Sequence, residues 1–243
     1  MNEFVATLAH EMRNPLSALT YALQVWVSLQ DDSPQMSELH DVMKRQVVQL
    51  TRLCEDLLDQ ARLILGKLEL SREHIDVGRV IDYACEQIKP FINRCGHSLN
   101  VKLPAEPLIV DGDASRLLQV FANLIQNAAK FTDKNGCLHV DVDSQEGMAV
   151  VRIRDNGRGI EKDMLPSIFD VFKRGDISGG ASKNDGLGIG LHLVKTVVDL
   201  HGGTVDAHSE GLGHGSEFIV RLPCNGHMPP PAPSDATAWS LNG

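Results

Sequence analysis

A chain of 243 residues, 42% of them hydrophobic, is long enough to bury one good core and a smaller element beside it. Its net charge of −9 and its lack of any Lys/Arg cluster exclude a general nucleic-acid or membrane-surface binder, because phosphate backbones and anionic lipids select for clustered positive charge. Five cysteines without C-x-x-C pairing (Cys54, Cys85, Cys95, Cys137, Cys224) fit neither a disulfide framework nor a zinc site, and no apolar run reaches the roughly 20 residues of a membrane span. The expected setting is reducing and cytoplasmic, with no membrane contact by this segment even if a longer parent is anchored.

Residues from about Asn2 to Gln30 read as one amphipathic helix, with Val5, Leu8, Met12, Leu19, Ala22 and Trp26 in 3-4 alternation and Leu16 and Leu23 widening the stripe. The polar turn Asp31 to Pro34 breaks the pattern, and a second run carries Leu39, Val42, Met43, Leu50, Leu53, Leu57, Ile64 and Leu65. Two helices cannot enclose that much apolar surface, so a second copy completing a four-helix bundle is the economical solution.

After Gly66 the period changes. Val77 to Ile92 is predicted helical, Ser98 to Leu103 and Pro107 to Asp111 are predicted strands, and Ala114 to Phe131 is a strong amphipathic helix with Asp113 as its N-cap. Cys137 to Ser144 and Met148 to Asp155 alternate like strands around a Glu146-Gly147 turn. Leu187 to Leu200 reads as a helix closed by Gly202 and Gly203, and Thr204 to Ser209 and Ser216 to Leu222 read as strands flanking a Gly-rich turn. The expected fold class is α+β: a helical hairpin over 1–66, then a two-layer α/β sandwich over 67–223 with a mainly antiparallel or mixed sheet. Residues 224–243, with their Met-Pro-Pro-Pro-Ala-Pro run, read as a disordered tail or linker.

Heptad numbering of the first helix puts His10 at the position farthest from the seam, pointing to solvent. Asn14 lies four residues on and Glu11 is adjacent, so an amide and a carboxylate flank one reachable imidazole, while Pro15 crowds the carbonyl of Glu11 and bends the helix. Neutral imidazole has one nitrogen free to attack, and a carboxylate holding the other N–H raises its basicity.

In the Ala114 to Phe131 helix, Asn123, Asn127 and Lys130 recur at i, i+4 and i+7, a stripe of two amide oxygens and an ammonium suited to Mg²⁺ and a triphosphate. Asp155 ends an alternating strand and is followed by Gly157 and Gly159, where a backbone can approach a flat ligand closely and the carboxylate can accept from an amino group. Gly186, Gly188 and Gly190 lead into a helix whose first N–H groups can bind phosphate. The polar stretch from Lys173 to Asp185 reads as a flap, with Lys173 and Arg174 at its base facing either the γ-phosphate or solvent. His192, His201 and His208 read as surface or capping residues.

His-Glu-Met-Arg-Asn-Pro-Leu (His10 to Leu16) resembles the H-box of sensor histidine kinases. The order of Asn123 to Phe131, Asp155 to Ile160, Ile168 to Phe172, Gly186 to Leu191 and Gly213 to Phe218 resembles the GHKL (Bergerat) ATPase domain of the same proteins. The resemblance covers roughly residues 3 to 223. It implies that His10 is phosphorylated from ATP, that Glu11 is its acid/base, and that Asn14 positions water for dephosphorylating a partner. It also implies that Asn123 and Asn127 serve Mg²⁺ and Lys130 serves phosphate. By the same resemblance Asp155 is expected to read adenine, and Phe131, Gly157, Gly159, Ile160, Gly186, Leu187, Gly188, Gly190 and Leu191 to shape the site.

The implied partner is the receiver domain of a response regulator, and the implied assembly a homodimer through the hairpin. Two other readings carry less weight. A GHKL ATPase doing conformational work has a glutamate four residues before the metal-binding asparagine, where this chain has Asn123, a poor base. A scaffold that binds a regulator without catalysis sits poorly with intact motifs.

Overall fold

The computed structural model describes residues 14–26, most of 39–51, 70–171 and 190–224. These fall into two units, one within residues 1–69 and 163–196, the other within 70–162 and 197–243. In the first unit, residues 14–26 form helix α1 and the described residues between 39 and 51 belong to helix α2. Thr20 and Thr51 donate their hydroxyls back to the Leu16 and Val47 carbonyls at 2.8 and 3.1 Å, the i−4 bonds by which threonine tolerates a helix interior. Ala22 is buried, whereas Leu16, Tyr21, Leu23, Trp26 and Val47 are exposed. The same unit holds a short 3₁₀ turn, Leu165–Ser167, and His192, whose Nδ1 lies 3.1 Å from the Phe169 carbonyl; half-buried, it is not a surface residue.

In the second unit a five-stranded sheet runs in the order β2 (Ser98–Lys102), β4 (Cys137–Gln145), β5 (Met148–Asp155), β7 (Ser216–Pro223), β6 (Thr204–His208). All neighbours are antiparallel except β2 and β4, so the sheet is mixed. The two-residue turn between β4 and β5 has Glu146 and Gly147 at φ of 51° and 77°, the mirror-image turn that matches strand twist. Leu138, Val140, Val142, Val151, Ile153, Phe218, Val220 and Leu222 alternate onto one face and are buried there. Helices α3 (Val77–Cys95) and α4 (Ala114–Lys130) pack on each other, α4 against β5. Helix α4 offers Leu117, Val120, Phe121, Leu124, Ile125, Ala128 and Ala129 to that core.

Both helices start where a side chain replaces a missing backbone partner. Asp76 accepts from the Gly78 N–H, and Asp113 accepts from the Arg116 N–H. Helix α3 runs past the expected Ile92, through Pro90, to a left-handed Gly96 whose N–H returns to the Asn93 and Ile92 carbonyls. A strand absent from the sequence reading, β1 (Glu73–Asp76), pairs antiparallel with β3 (Ile109–Gly112) as a separate two-stranded sheet. The described part of the last helix, α5, is Gly190–Leu200. The four described cysteines are free thiols; burial, and then the charge of Asp82, pushes the Cys85 thiol up to about 11.

His201, expected at the surface or in a cap, is buried and caps a different element from its own. Its Nε2 accepts from the Asp113 N–H at 3.0 Å, and its Nδ1 donates to the Val197 carbonyl at 2.7 Å. Burial lowers its pKa, the Arg72 charge lowers it further, and Val197, Asp113 and Asp111 pull the other way. The folded state therefore favours the neutral ring, and a protonated ring has no lone pair for Asp113. The contribution of His201 to stability should be constant above the unfolded-state value of about 6.5 and fall as pH drops below it. Denaturation midpoints measured from pH 7.5 down to 5.5 should decline for the wild type, and His201→Gln should flatten that part of the decline.

Candidate functional site

Asp155 sits at the last position of β5, directly opposite Ser216 at the first position of β7. Its carboxylate is buried. Oδ1 accepts from the Gly157 N–H (2.8 Å) and the Ser216 N–H (3.2 Å), and Oδ2 accepts from the Ser216 hydroxyl (2.5 Å). A carboxylate offers about four lone-pair positions. Three are taken among the described residues, and the fourth, on Oδ2, is left for one outside donor.

The loop after Asp155 is built against the end of α4. The Arg158 N–H donates to the Phe131 carbonyl at 3.0 Å, and a Cβ on Gly157 would lie 2.3 Å from that same oxygen, so only glycine fits. On its other side the loop meets the β6–β7 turn. The Gly213 N–H donates to the Arg158 carbonyl (2.7 Å), the Gly215 N–H donates to the Gly157 carbonyl (3.0 Å), and the Ile160 N–H donates to Ser209 Oγ (3.0 Å). At its base Asn156 is clamped to the start of β4, its Oδ1 accepting from the Cys137 N–H at 2.8 Å. The loop is thus fixed by main-chain bonds on three sides, the preorganisation a ligand site needs.

Asn123, Asn127 and Lys130 lie on α4 with half-buried side chains, on the opposite side of the helix from the core set. The Lys130 ammonium is 5.0 Å from the Phe131 ring centroid, and the Arg158 guanidinium carbon is 4.2 Å from it. The structure therefore brings together the residues singled out on α4 and the Asp155–Ile160 loop. Gly190 and Leu191 are the first described residues of α5. His10, Glu11, Lys173, Arg174, Gly186, Leu187 and Gly188 lie outside the described residues; Asn14 is described, half-buried on α1.

Three contributors escaped the sequence reading. Ser216 falls within Gly213 to Phe218, and its pairing with Asp155 is set by the β5–β7 register rather than by local spacing. Ser209 accepts from Ile160 and donates to the Gly215 carbonyl at 2.7 Å, a junction that no local spacing signals. In the sequence Arg158 is one residue of a glycine turn, and its place on the Phe131 ring follows only from the fold.

Two family models match the chain: a His Kinase A (phospho-acceptor) domain over residues 1–66, and a histidine kinase-, DNA gyrase B-, and HSP90-like ATPase domain over residues 112–226. The chain is 33% identical over 229 residues to a probable sensor histidine kinase, TcrY, of Mycobacterium tuberculosis, covering 94% of this chain and 47% of that one. It is 28% identical over 222 residues to the sensor protein SrrB of Staphylococcus aureus, covering 91% and 38%. Among solved structures it is similar to full-length ShkA in complex with AMPPNP (TM-score 0.67, 26% identity, 91% of this chain and 46% of that one). The mycobacterial sensor histidine kinase MprB gives a TM-score of 0.55 at 29% identity, over 63% of this chain and 97% of that one. The chain spans less than half the length of TcrY and SrrB. With a phospho-acceptor domain followed by an ATPase domain whose loop and helix come together as described, the chain belongs to the sensor histidine kinases, of which it is a catalytic core.

Proposed function

We propose that this chain uses ATP to phosphorylate its own His10 and then passes the phosphoryl group to an aspartate on the receiver domain of a response regulator. The observation that carries the ATP site is the buried Asp155 carboxylate, held by Gly157 and Ser216 with one acceptor position unspent. That position suits the exocyclic amino group of adenine. The collision a Cβ on Gly157 would make with the Phe131 carbonyl shows how closely the loop after Asp155 is seated on the end of α4, which holds that carboxylate in place.

In this reading the half-buried amides of Asn123 and Asn127 offer the hard oxygens that Mg²⁺ prefers, and Lys130 faces phosphate. Mg²⁺, when bound, neutralises charge on the phosphate oxygens. Glu11 accepts the proton of one imidazole nitrogen of His10 while the other attacks the γ-phosphorus. The N–P bond forms as the bond to the bridging β–γ oxygen breaks, and ADP leaves with that electron pair. Asn14 places water for the reverse task, dephosphorylation of the regulator.

The proposed division is a hairpin over 1–66 and a catalytic domain over 67–223. The exposed Leu16, Tyr21, Leu23, Trp26 and Val47 support a homodimer through the hairpin, because so many large apolar side chains are seldom left to water.

Incubation with γ-labelled ATP and Mg²⁺ tests the reading. The wild type should acquire an acid-labile, base-stable label that His10→Gln does not. Phosphate release without protein label would point to an ATPase doing conformational work, a reading that Asn123 disfavours for want of a base.

A further inference from the structure

The loop between Asp155 and Ile160 carries one charged side chain that the reading above does not use. The Arg158 guanidinium lies half-buried on the Phe131 ring, while its backbone N–H and carbonyl are spent on Phe131 and Gly213. Among the described residues its side-chain N–H donors meet no carboxylate, carbonyl or hydroxyl. Elsewhere in the same unit Arg72, Arg154 and Arg221 each reach a carboxylate, at 3.2, 2.7 and 2.6 Å. A half-buried guanidinium that has given up part of its water and gained only one ring face has donors to spend.

With one face covered by the ring, those donors radiate in the plane of the group, as a fork that matches the oxygens of a phosphate. The Lys130 ammonium approaches the same ring from α4, bringing a second positive charge to the place where the helix ends and the loop begins. The base-reading end of the site is already supplied by Asp155, three residues before Arg158. We propose that Arg158 is an anion-binding residue of the nucleotide site, taking the phosphate-bearing half of ATP from the loop side as Lys130 takes it from the helix side. Phe131 is the platform that orients both. This rests on the ATP-site reading given above.

The test is calorimetric titration of the full chain with ATP, ADP and adenosine in the presence of Mg²⁺, for wild type, Arg158→Ala and Arg158→Lys. Arg158→Ala should weaken ATP and ADP about tenfold, the loss of one charge-assisted contact, and leave adenosine within about twofold. Arg158→Lys should recover part of the loss, and the loss should shrink as salt is raised. Should the alanine variant not fold, Arg158→Gln keeps the stem, drops the charge and is expected to give the same pattern. Equal weakening of adenosine and ATP would overturn the assignment, placing Arg158 on the base or in the loop's shape, and so would unchanged ATP binding. A wild type that binds adenosine and ATP equally poorly would overturn the ATP site itself, and this inference with it.

Discussion

Asp155→Asn is expected to fold and to lose ATP. The amide oxygen can still accept from the Gly157 and Ser216 N–H groups, and the amide nitrogen can donate to Ser216 Oγ, since a hydroxyl rotates to accept as readily as it donates. What the substitution changes is the fourth position: an N–H now points where a lone pair pointed, and an incoming amino group meets a donor. Exchanging a buried charged acceptor for a donor costs on the order of 3 kcal/mol, about a hundredfold in affinity. Thermal melting should therefore move by only a few degrees, while titration with ATP shows weakening of about a hundredfold and the protein label disappears. Unchanged ATP affinity would mean that the base is read elsewhere.

Gly215→Ala should fail in the opposite way, through the fold. Gly215 has φ of 70°, and a Cβ built on it would stand 2.1 Å from the Asp155 carbonyl oxygen and 3.0 Å from the Asn156 Cα, both backbone atoms that cannot swing aside. The left-handed conformation alone costs a non-glycine residue about 1–2 kcal/mol, and overpacking adds roughly 1–3. Gly147, also left-handed at φ of 77° but with nothing within 4 Å of its Cβ position, is the internal control. Gly147→Ala should lose only the conformational part. For a chain of this size each kcal/mol is about 2–4 °C in Tm, so the two melting temperatures should differ by several degrees. Equal losses would show that the loop yields to the Cβ.

The parts of this molecule legible in the sequence are those whose causes are local. Helix α4 announced itself through Asp113 and a 3.6-residue apolar period, and the β4–β5 hairpin through alternation around Glu146-Gly147. What escaped depends on distant partners. Strand β1 is four residues with only Ile75 buried, too short to display a period, and exists because β3 offers it a ladder. The parallel pairing of β2 with β4 joins segments separated by a helix and a strand. His201 looked like any lone histidine because its partner, the Asp113 N–H, is 88 residues away. On the site, Asp155 and the α4 stripe were readable as residue types at fixed spacings. Ser216, Ser209 and Arg158 join the candidate site through contacts that exist only after the strands and loop have met.

The Asp113 carboxylate has one further tie. Burial disfavours its charge, but bonds from Ser115, Arg116 and Ser71 hold its carboxyl below the usual carboxylate range. One oxygen caps α4, and the other accepts from the Ser71 N–H at 3.0 Å, while Arg72 grips Asp111 and the Leu200 carbonyl. The chain just past Leu70 is thereby tied through Asp113 to the first turn of α4. A helix is stiff along its axis, and Asn123 lies about 15 Å down it. Mechanically, the stretch of chain entering this unit is hitched to a rod whose far half carries the candidate site.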